Sequence, residues 1–265
     1  MDEKVDKKLF TEIADSLGKN FNMHLLDNKK GVYVDGIGTD HSALHSNIFP
    51  VVFGLVSEPN KRVIAEFIKS RGMACSVYGA QFLLDAVYDL HESQYGLELL
   101  TSVSSRSWYN MIRSGSTITM EAWDKAYKPN LDLNHAWGAA PANIIPHRLM
   151  GIEPLEPGFG KIRIKPQPGS LEHAEIKYPT IRGAVTASFE NKPGRSFILD
   201  FSVPANTSVD IWLPHYSDSE IIKLNGESFS AEISGDFVIL RNIGSGKNRA
   251  EVRWIKEGKY KLPGI

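Results

Sequence analysis

The chain has 265 residues, of which 42% are hydrophobic and 23% charged, as in a globular protein of one large or two ordinary domains. Its formal net charge of −1 provides no strong field for nucleic acid or an anionic membrane surface, and we expect neither as a partner. The one cysteine excludes an internal disulfide. The sequence contains neither a run of about 18 apolar residues nor an apolar signal segment after the charged start MDEKVDKKLF, and the cellular compartment stays open.

The first 151 residues carry apolar side chains at helical spacing. Val5, Leu9 and Ile13 recur every four residues, and Gly18 is expected to end this first helix. Pro50 is expected to kink a second helix, which runs to about residue 56, because proline lacks the N–H donor. We interpret residues 1–151 as a helical domain built from antiparallel helix pairs. The remaining helices are predicted to begin at 59 and to span 78–90, 93–101, 107–114 and about 136–150.

The pattern changes after Gly151. Residues 153–158 contain two prolines and are expected to link two domains. Short alternating runs separated by turn residues follow, which is typical of a β-sandwich of about 100 residues. Asn225 and Gly226 predict a type I′ hairpin. We therefore predict a C-terminal β-sandwich domain over residues 152–265. Its strands are predicted at 161–165, 172–178, 184–190, 196–203, 208–213, 221–224, 237–241 and 249–255.

The run DGIGTDHSALHSNIFP, residues 35–50, is rich in functional residue types. Ser42 is expected to cap the second helix, with Asp40 beside it. His41 and His45 would then lie one helical turn apart, which is a metal-ligand spacing. No glutamate follows His41 as in the HExxH motif and no third ligand is evident, so we predict neither a metal site nor a cofactor. The helix start explains Asp40 better than it explains the two histidines.

Two further runs combine polar and aromatic residues. STITMEAWD contains Glu121 and Trp123, and NHAWGAAP contains His135, Trp137 and the small residues after it. Sugar sites commonly pair carboxylates with aromatic rings, because a pyranose has an apolar CH face and a polar rim. A positioned carboxylate can also activate water. On composition alone, a surface acid beside a partly buried tryptophan and a capping histidine explain the same residues.

Three runs occur in a fixed order along the chain: SALHSNIFPVVFGLV, then SWYNMIRSGSTITMEAWD, then NHAWGAAPANIIPHRLMGIEPLEPGFGKIRIKPQPG. They resemble the C-terminal part of bacterial α-L-rhamnosidases, in which a loop ending in Trp-Glu-Arg-Trp precedes Asn-His-Ala-Trp-Gly and a Pro-Gly-Phe linker. The matches run from about residue 31 to residue 169. The resemblance implies a multi-domain α and β chain, a partial (α/α)6 toroid followed by an antiparallel β-sandwich.

The resemblance also implies an inverting glycoside hydrolase that cleaves terminal bonds of an oligosaccharide or polysaccharide. Such an enzyme holds a general acid and a general base roughly 6.5–9.5 Å apart, which leaves room for a water molecule. Carried over onto this sequence, Glu121 takes the position of the general base and His135 a position near the sugar. Trp123 and Trp137 would face the sugar or support it, and His45 is a further expected substrate contact.

The sequence departs from the family pattern at several points. Met120 and Ala122 replace an aromatic residue and an arginine beside Glu121, which puts the sugar specificity in doubt. Pro146 is expected to kink the last helix. The family's general acid lies in an upstream Asp-Cys-Pro-x-Arg-x-Glu-type segment, whereas Cys75 stands in RGMACSVYG, which does not match.

The missing segment leads to several expectations. We expect the chain to be a fragment or the product of a shortened gene, to need the missing upstream half of the enzyme, and to be inactive alone. Half a toroid would expose its inner-helix surface, so self-association is expected. One alternative is a non-catalytic carbohydrate-binding or structural remnant. Another is an unrelated toroid enzyme, such as a different exo-acting glycosidase or a polysaccharide lyase.

Overall fold

The computed structural model describes residues 3–216 and 220–255, with helices first and strands afterwards. Helix α1 (Glu3–Leu25) is followed by a small ribbon of β1 (Leu26–Asp27) and β2 (Val32–Tyr33). The prediction that Gly18 ends α1 was wrong. One glycine costs a helix only about 1 kcal/mol, and Phe21 packs its last turns against the core.

Short helices form the rest of the helical part. Helix α4 lies at its centre, where it packs against α2, α5 and α7, and its Leu83, Leu84 and Tyr88 are fully buried. Pro50 lies inside α2, which ends two residues later. Among the described residues, no helix combines the length and the apolar composition needed to cross a membrane. The helices are α2 (Leu44–Val52), α3 (Glu58–Arg71), α4 (Gly79–Asp89), α5 (Ser93–Leu100), α6 (Trp108–Arg113) and α7 (Ala140–Ile144).

The last helical segment is interrupted, in contrast to the single helix predicted over residues 136–150. A 3-10 turn (Ala136–Gly138) precedes α7, and a π turn (Ile145–Leu149) follows it. Pro146 lies in the π turn, where its missing N–H accounts for the irregularity that the sequence led us to expect. Gly151 follows with a φ of +73°, and a Cβ there would lie 2.0 Å from the carbonyl oxygen of Lys165.

The strands form two sheets with their apolar faces in a shared core. The six-stranded sheet has the order β10-β9-β13-β7-β6-β5, and the five-stranded sheet has the order β11-β12-β8-β4-β3. All neighbours are antiparallel except β4 and β8, which are parallel. The strands are β3 (Ile152–Pro154), β4 (Lys161–Ile164), β5 (His173–Thr180), β6 (Gly183–Lys192), β7 (Ser196–Val203), β8 (Ser208–Pro214), β9 (Glu220–Leu224), β10 (Glu227–Ser228), β11 (Glu232–Ser234), β12 (Phe237–Ile243) and β13 (Gly246–Trp254).

The strand predictions succeeded for the longer strands and missed the shortest ones. Asn225 and Gly226 have φ angles of 53° and 88°, as a type I′ turn requires. The segment expected as a plain linker contains β3 and a 3-10 turn (Pro157–Phe159), so the strands begin at Ile152. Strands β10 and β11 have two and three residues, which is too short for an alternating pattern.

A charged network joins the helical part to the sandwich. The Arg148 guanidinium lies 2.8 Å from an oxygen of Asp85, 2.7 Å from one of Asp89 and 3.5 Å from one of Glu153. Glu153 also pairs with Arg163 on β4. Burial raises the pKa of Asp89 above its usual value, and the Arg148 charge opposes that rise. The network therefore fixes the end of the last helical segment against the first two strands of the sandwich.

Candidate active site

Two neighbouring segments of the loop between α6 and the last helical segment are held in an antiparallel arrangement. The His135 amide donates to the carbonyl of Thr119 at 2.8 Å, and the Thr119 hydroxyl donates to the carbonyl of His135 at 2.8 Å. The Glu121 amide donates to the carbonyl of Asp132 at 3.0 Å. Glu121 and His135, which are 14 positions apart in the sequence, therefore lie on adjacent backbone segments.

The Glu121 carboxylate has two partners on this loop. Lys128 forms an ion pair with Oε1, and the backbone amide of Asp132 donates to Oε2 at 3.1 Å. The hydrogen bond from Lys128, followed by that from Asp132, holds the pKa of Glu121 below its usual value, and the nearby His135 adds a small lowering. The carboxylate is therefore ionised at neutral pH, which is the form that can accept a proton.

Aromatic rings extend from His135 along the surface. The His135 ring meets Trp137 edge-on at 5.4 Å, and Trp137 lies 5.2 Å from Tyr78, which precedes α4. Trp137 is 65% exposed and Tyr78 51% exposed. Two large exposed rings beside an imidazole offer a platform for an apolar ligand face together with a hydrogen-bonding group.

The row of rings continues to the expected residue His45. Tyr78 contacts Phe82 at 5.7 Å, Phe82 contacts Phe49 at 5.2 Å, and Phe49 lies 6.2 Å from His45. A Cβ added to Gly79 would lie 3.4 Å from His45 Nε2, so the imidazole lies close to the start of α4. The starts of α2, α4 and the last helical segment thus share one rim of the helical part.

Trp123 does not share this exposed surface. It is 3% exposed, its indole N–H donates to the carbonyl of Cys75 at 2.8 Å, and its ring meets Trp108 edge-on at 5.2 Å. Asn110 donates to its carbonyl at 3.1 Å. Of the two roles expected for Trp123, only the supporting one fits, because packing leaves its ring no free face.

The histidine spacing considered for a metal site does not occur. Helix α2 begins at Leu44 with Ala43 as its N-cap, so His41 lies outside the helix, and the prediction that Ser42 caps this helix was wrong. His41 contacts the carboxylate of Asp35, whereas His45 lies toward α4. The described residues contain no group of three or more His, Cys, Asp or Glu placed to hold a metal ion.

Two residues of this region carried no local signal in the sequence. Lys128 is seven positions after Glu121 and reaches it because the intervening chain turns back. Tyr78 joins Trp137 through the packing of α4 against the last helical segment. A cavity of about 360 Å³ lies against the same loop between Gly115 and Lys125, and neither Glu121 nor His135 lines it.

Both parts of the chain match known protein families. Residues 1–149 match the family described as the bacterial alpha-L-rhamnosidase 6 hairpin glycosidase domain. Residues 151–226 match the bacterial alpha-L-rhamnosidase C-terminal domain. Together with the solved structures below, these matches confirm the predicted fold class and the resemblance on which it was based.

Curated relatives named alpha-L-rhamnosidase include proteins from Formosa agariphila and Streptomyces avermitilis. The first is 25% identical over 86% of this chain and 25% of its own length. The second is 26% identical over 66% of this chain and 17% of its own length. The chain therefore spans a quarter or less of the length of these relatives.

Solved structures share the fold. The alpha-L-rhamnosidase from Dictyoglumus thermophilum superimposes with a TM-score of 0.81 at 20% identity, over 95% of this chain and 29% of that one. The Streptomyces avermitilis alpha-L-rhamnosidase complexed with L-rhamnose superimposes with a TM-score of 0.75 at 20% identity, over 93% of this chain and 24% of that one. At these identities the similarity concerns the arrangement of helices and strands.

Proposed function

Because the chain belongs to the bacterial α-L-rhamnosidase family of six-hairpin glycosidases, we propose that it contributes the general base, Glu121, to an inverting α-L-rhamnosidase. The substrate class is an oligosaccharide or polysaccharide with a terminal α-L-rhamnoside. The observation that carries the proposal is the position of Glu121 beside His135, at the end of a row of exposed rings.

In this mechanism Glu121 accepts a proton from a water molecule as the oxygen of that water attacks the anomeric carbon. The bond to the leaving oxygen breaks on the opposite face of the sugar, which inverts the configuration. Each carboxylate oxygen has two lone pairs, so the contacts of Lys128 and Asp132 leave acceptor sites for the water. The leaving oxygen receives its proton from an acid in a segment outside these 265 residues.

The remaining residues of the rim bind the sugar in this proposal. Trp137 and Tyr78 cover the apolar CH face of the ring, and His135 donates to a hydroxyl. His45 contacts a hydroxyl of the glycan at the far end of the row. Trp123 acts indirectly, because its hydrogen bond to Cys75 anchors the loop that carries Glu121.

The test uses a substrate that does not need a general acid. Fluoride leaves without protonation, so α-L-rhamnosyl fluoride reports on the base alone, whereas an aryl α-L-rhamnoside also needs the acid. General acid or base assistance is typically worth about 10²–10⁴-fold. We expect the chain to hydrolyse the fluoride faster than buffer does, and to show no useful turnover of the aryl rhamnoside.

Glu121→Gln is expected to lower the fluoride rate by about 10²-fold or more, whereas Glu98→Gln on α5 leaves it unchanged. Equal fluoride rates in wild type and Glu121→Gln would remove Glu121 from the role of base. Aryl rhamnoside turnover that Glu121→Ala abolishes would show that these residues include an acid.

The alternative function is carbohydrate binding without catalysis. The exposure of Trp137 and Tyr78 favours it, since a stacked sugar needs no acid or base. L-Rhamnose binding that is lost in Trp137→Ala, together with no acceleration of fluoride hydrolysis, would support this alternative over the enzyme.

A further inference from the structure

An open groove of about 500 Å³ runs across the outer face of the six-stranded sheet. Strands β5, β6, β7 and β13 line it, and four residues of these strands stand side by side in register: Lys177, Thr186, Ser202 and Lys247. Neighbouring strands are about 4.8 Å apart, so the two lysine backbones are separated by roughly 14 Å with two hydroxyls between them. We refer to this feature as the sheet groove.

The polar groups of this row are free to bind a ligand. Among the described residues, neither Lys177 nor Lys247 forms an ion pair, and the hydroxyls of Thr186 and Ser202 make no hydrogen bond. Cross-strand neighbours in register point to the same face of a sheet. The row therefore presents two positive charges and two hydroxyl groups to the same space.

The adjacent row has a different charge balance. Glu175, Ser188, Asp200 and Arg249 stand opposite one another, and Arg249 lies 3.0 Å from the Asp200 carboxylate. This ion pair neutralises Asp200, and Glu175 remains as an acceptor without an ion-pair partner in the part of the chain described. A ligand spanning both rows would meet cations on one side and a hydrogen-bond acceptor on the other.

The groove opens away from the helical part. Side chains alternate between the two faces of a strand, and Tyr178, next to Lys177 on β5, points to the opposite face and lies 3.2 Å from His147 of the last helical segment. Of the apolar lining residues, Ala187 and Phe201 are buried in the sandwich core, and Ile176 is partly buried against that core. The groove thus offers charged and hydroxyl groups without an apolar anchor.

We propose that the sheet groove binds an anionic oligosaccharide, with sulfate or carboxylate groups at Lys177 and Lys247 and sugar hydroxyls at Thr186, Ser202 and Glu175. Sugar hydroxyls both donate and accept, which suits the hydroxyls and the carboxylate. The lack of an exposed apolar anchor in the described groove disfavours a membrane surface as the ligand. The proposal is independent of Glu121 and gives the sandwich a binding role of its own.

The experiment uses the whole chain and isothermal titration with three probes of equal length: dextran sulfate, oligogalacturonate and neutral dextran. At least one anionic probe is expected to bind more tightly than neutral dextran, and its binding is expected to weaken with added salt. Lys177→Gln and Lys247→Gln are each expected to weaken it about tenfold, since each removes a charged hydrogen bond. Lys192→Gln, on β6 outside the groove, is the matched control.

The outcomes separate the two sources of negative charge. Binding of dextran sulfate alone supports sulfate esters as the ligand group, and binding of both anionic probes supports carboxylates as well. Equal affinity for neutral dextran, or an equal loss in Lys192→Gln and the two groove variants, overturns the proposal. Single-stranded DNA that binds as tightly as the anionic glycans, with the same losses in the groove variants, would overturn the assignment to sugars.

Discussion

The Glu121–Lys128 ion pair sets the protonation of the candidate base. Lys128 lowers the pKa of Glu121 by stabilising its ionised form, so the carboxylate stays charged to a lower pH than a free glutamate. The same interaction makes the carboxylate a weaker proton acceptor. The ion pair that keeps Glu121 ionised therefore also lowers the basicity of its carboxylate.

Lys128→Met is expected to raise the pKa of Glu121, because it removes the largest cause of the lowering and keeps an apolar side chain of similar length. The acidic limb of the fluoride pH–rate profile should move to higher pH with it. Carbon-detected NMR of labelled glutamate measures the titration directly. Lys125→Met, three positions away on the same loop, is the control. An unchanged Glu121 titration in Lys128→Met, or the same rise in both variants, would contradict this account.

The sequence identified some residues of the candidate site and could not identify others. Glu121 and His135 each lie within a recognisable run, and backbone hydrogen bonds hold those two runs side by side. Lys128 and Tyr78 reach the same region through loop closure and helix packing, which leave no local pattern. Trp123 could be recognised in the sequence, but its burial could not. A tryptophan next to a carboxylate gives the same sequence pattern whether its ring is exposed or buried.

At the scale of elements, the glycine of the NHAWG run allows the last helical segment to approach the loop of Glu121. A Cβ at Gly138 would lie 2.7 Å from the carbonyl oxygen of Met120 and 3.0 Å from the Thr119 side chain. The Gly138 carbonyl also accepts a hydrogen bond from Trp108 at 2.7 Å. The absence of a side chain at Gly138 therefore allows the last helical segment and the loop of Glu121 to lie in contact, and this contact positions Glu121 beside His135.

Gly138→Ala is expected to lower the free energy of unfolding by about 1–3 kcal/mol, because the added methyl meets backbone that cannot move alone. Urea unfolding followed by circular dichroism measures the change. Gly36→Ala is the matched control, since a Cβ there has no neighbour within 4 Å, and its effect should stay within about 0.5 kcal/mol. Equal stability of Gly138→Ala and wild type would show that the two elements can separate without cost.

Elements with a long repeat were predictable, and elements fixed by tertiary contacts were not. Strand β7 matches its predicted bounds because Phe197, Leu199, Phe201 and Val203 recur at every second residue, although Ile198 interrupts the polar positions between them. Strand β3 was missed because three residues have no period, and its pairing with β4 supplies the order. The break in the last helical segment followed from Pro146, although its form as a π turn depends on the packing around it.

For the whole molecule, the part of α1 up to Leu17 is left uncovered by the rest of the structure. None of its residues is buried, although one face carries a stripe of apolar side chains. These side chains are 44–66% exposed, and they are Val5, Leu9, Phe10, Ile13 and Leu17. A stripe of this kind is typical of a helix that packs against another protein surface. The sequence showed the stripe, but its lack of a covering partner required the structure.

We expect the purified chain to self-associate through this stripe, because pairing two copies removes both apolar faces from water. Light scattering after size exclusion should give a mass above that of one chain, rising with concentration. Ile13 lies near the middle of the stripe, so Ile13→Glu should shift the mass toward a single chain by placing a charge in the contact. Thr11→Glu adds the same charge on the opposite face of α1 and should leave the mass unchanged. A wild-type mass of one chain at all concentrations, or an equal shift in both variants, would exclude α1 as the contact between copies. The isolated chain would then be stable as a monomer with the apolar stripe exposed to water.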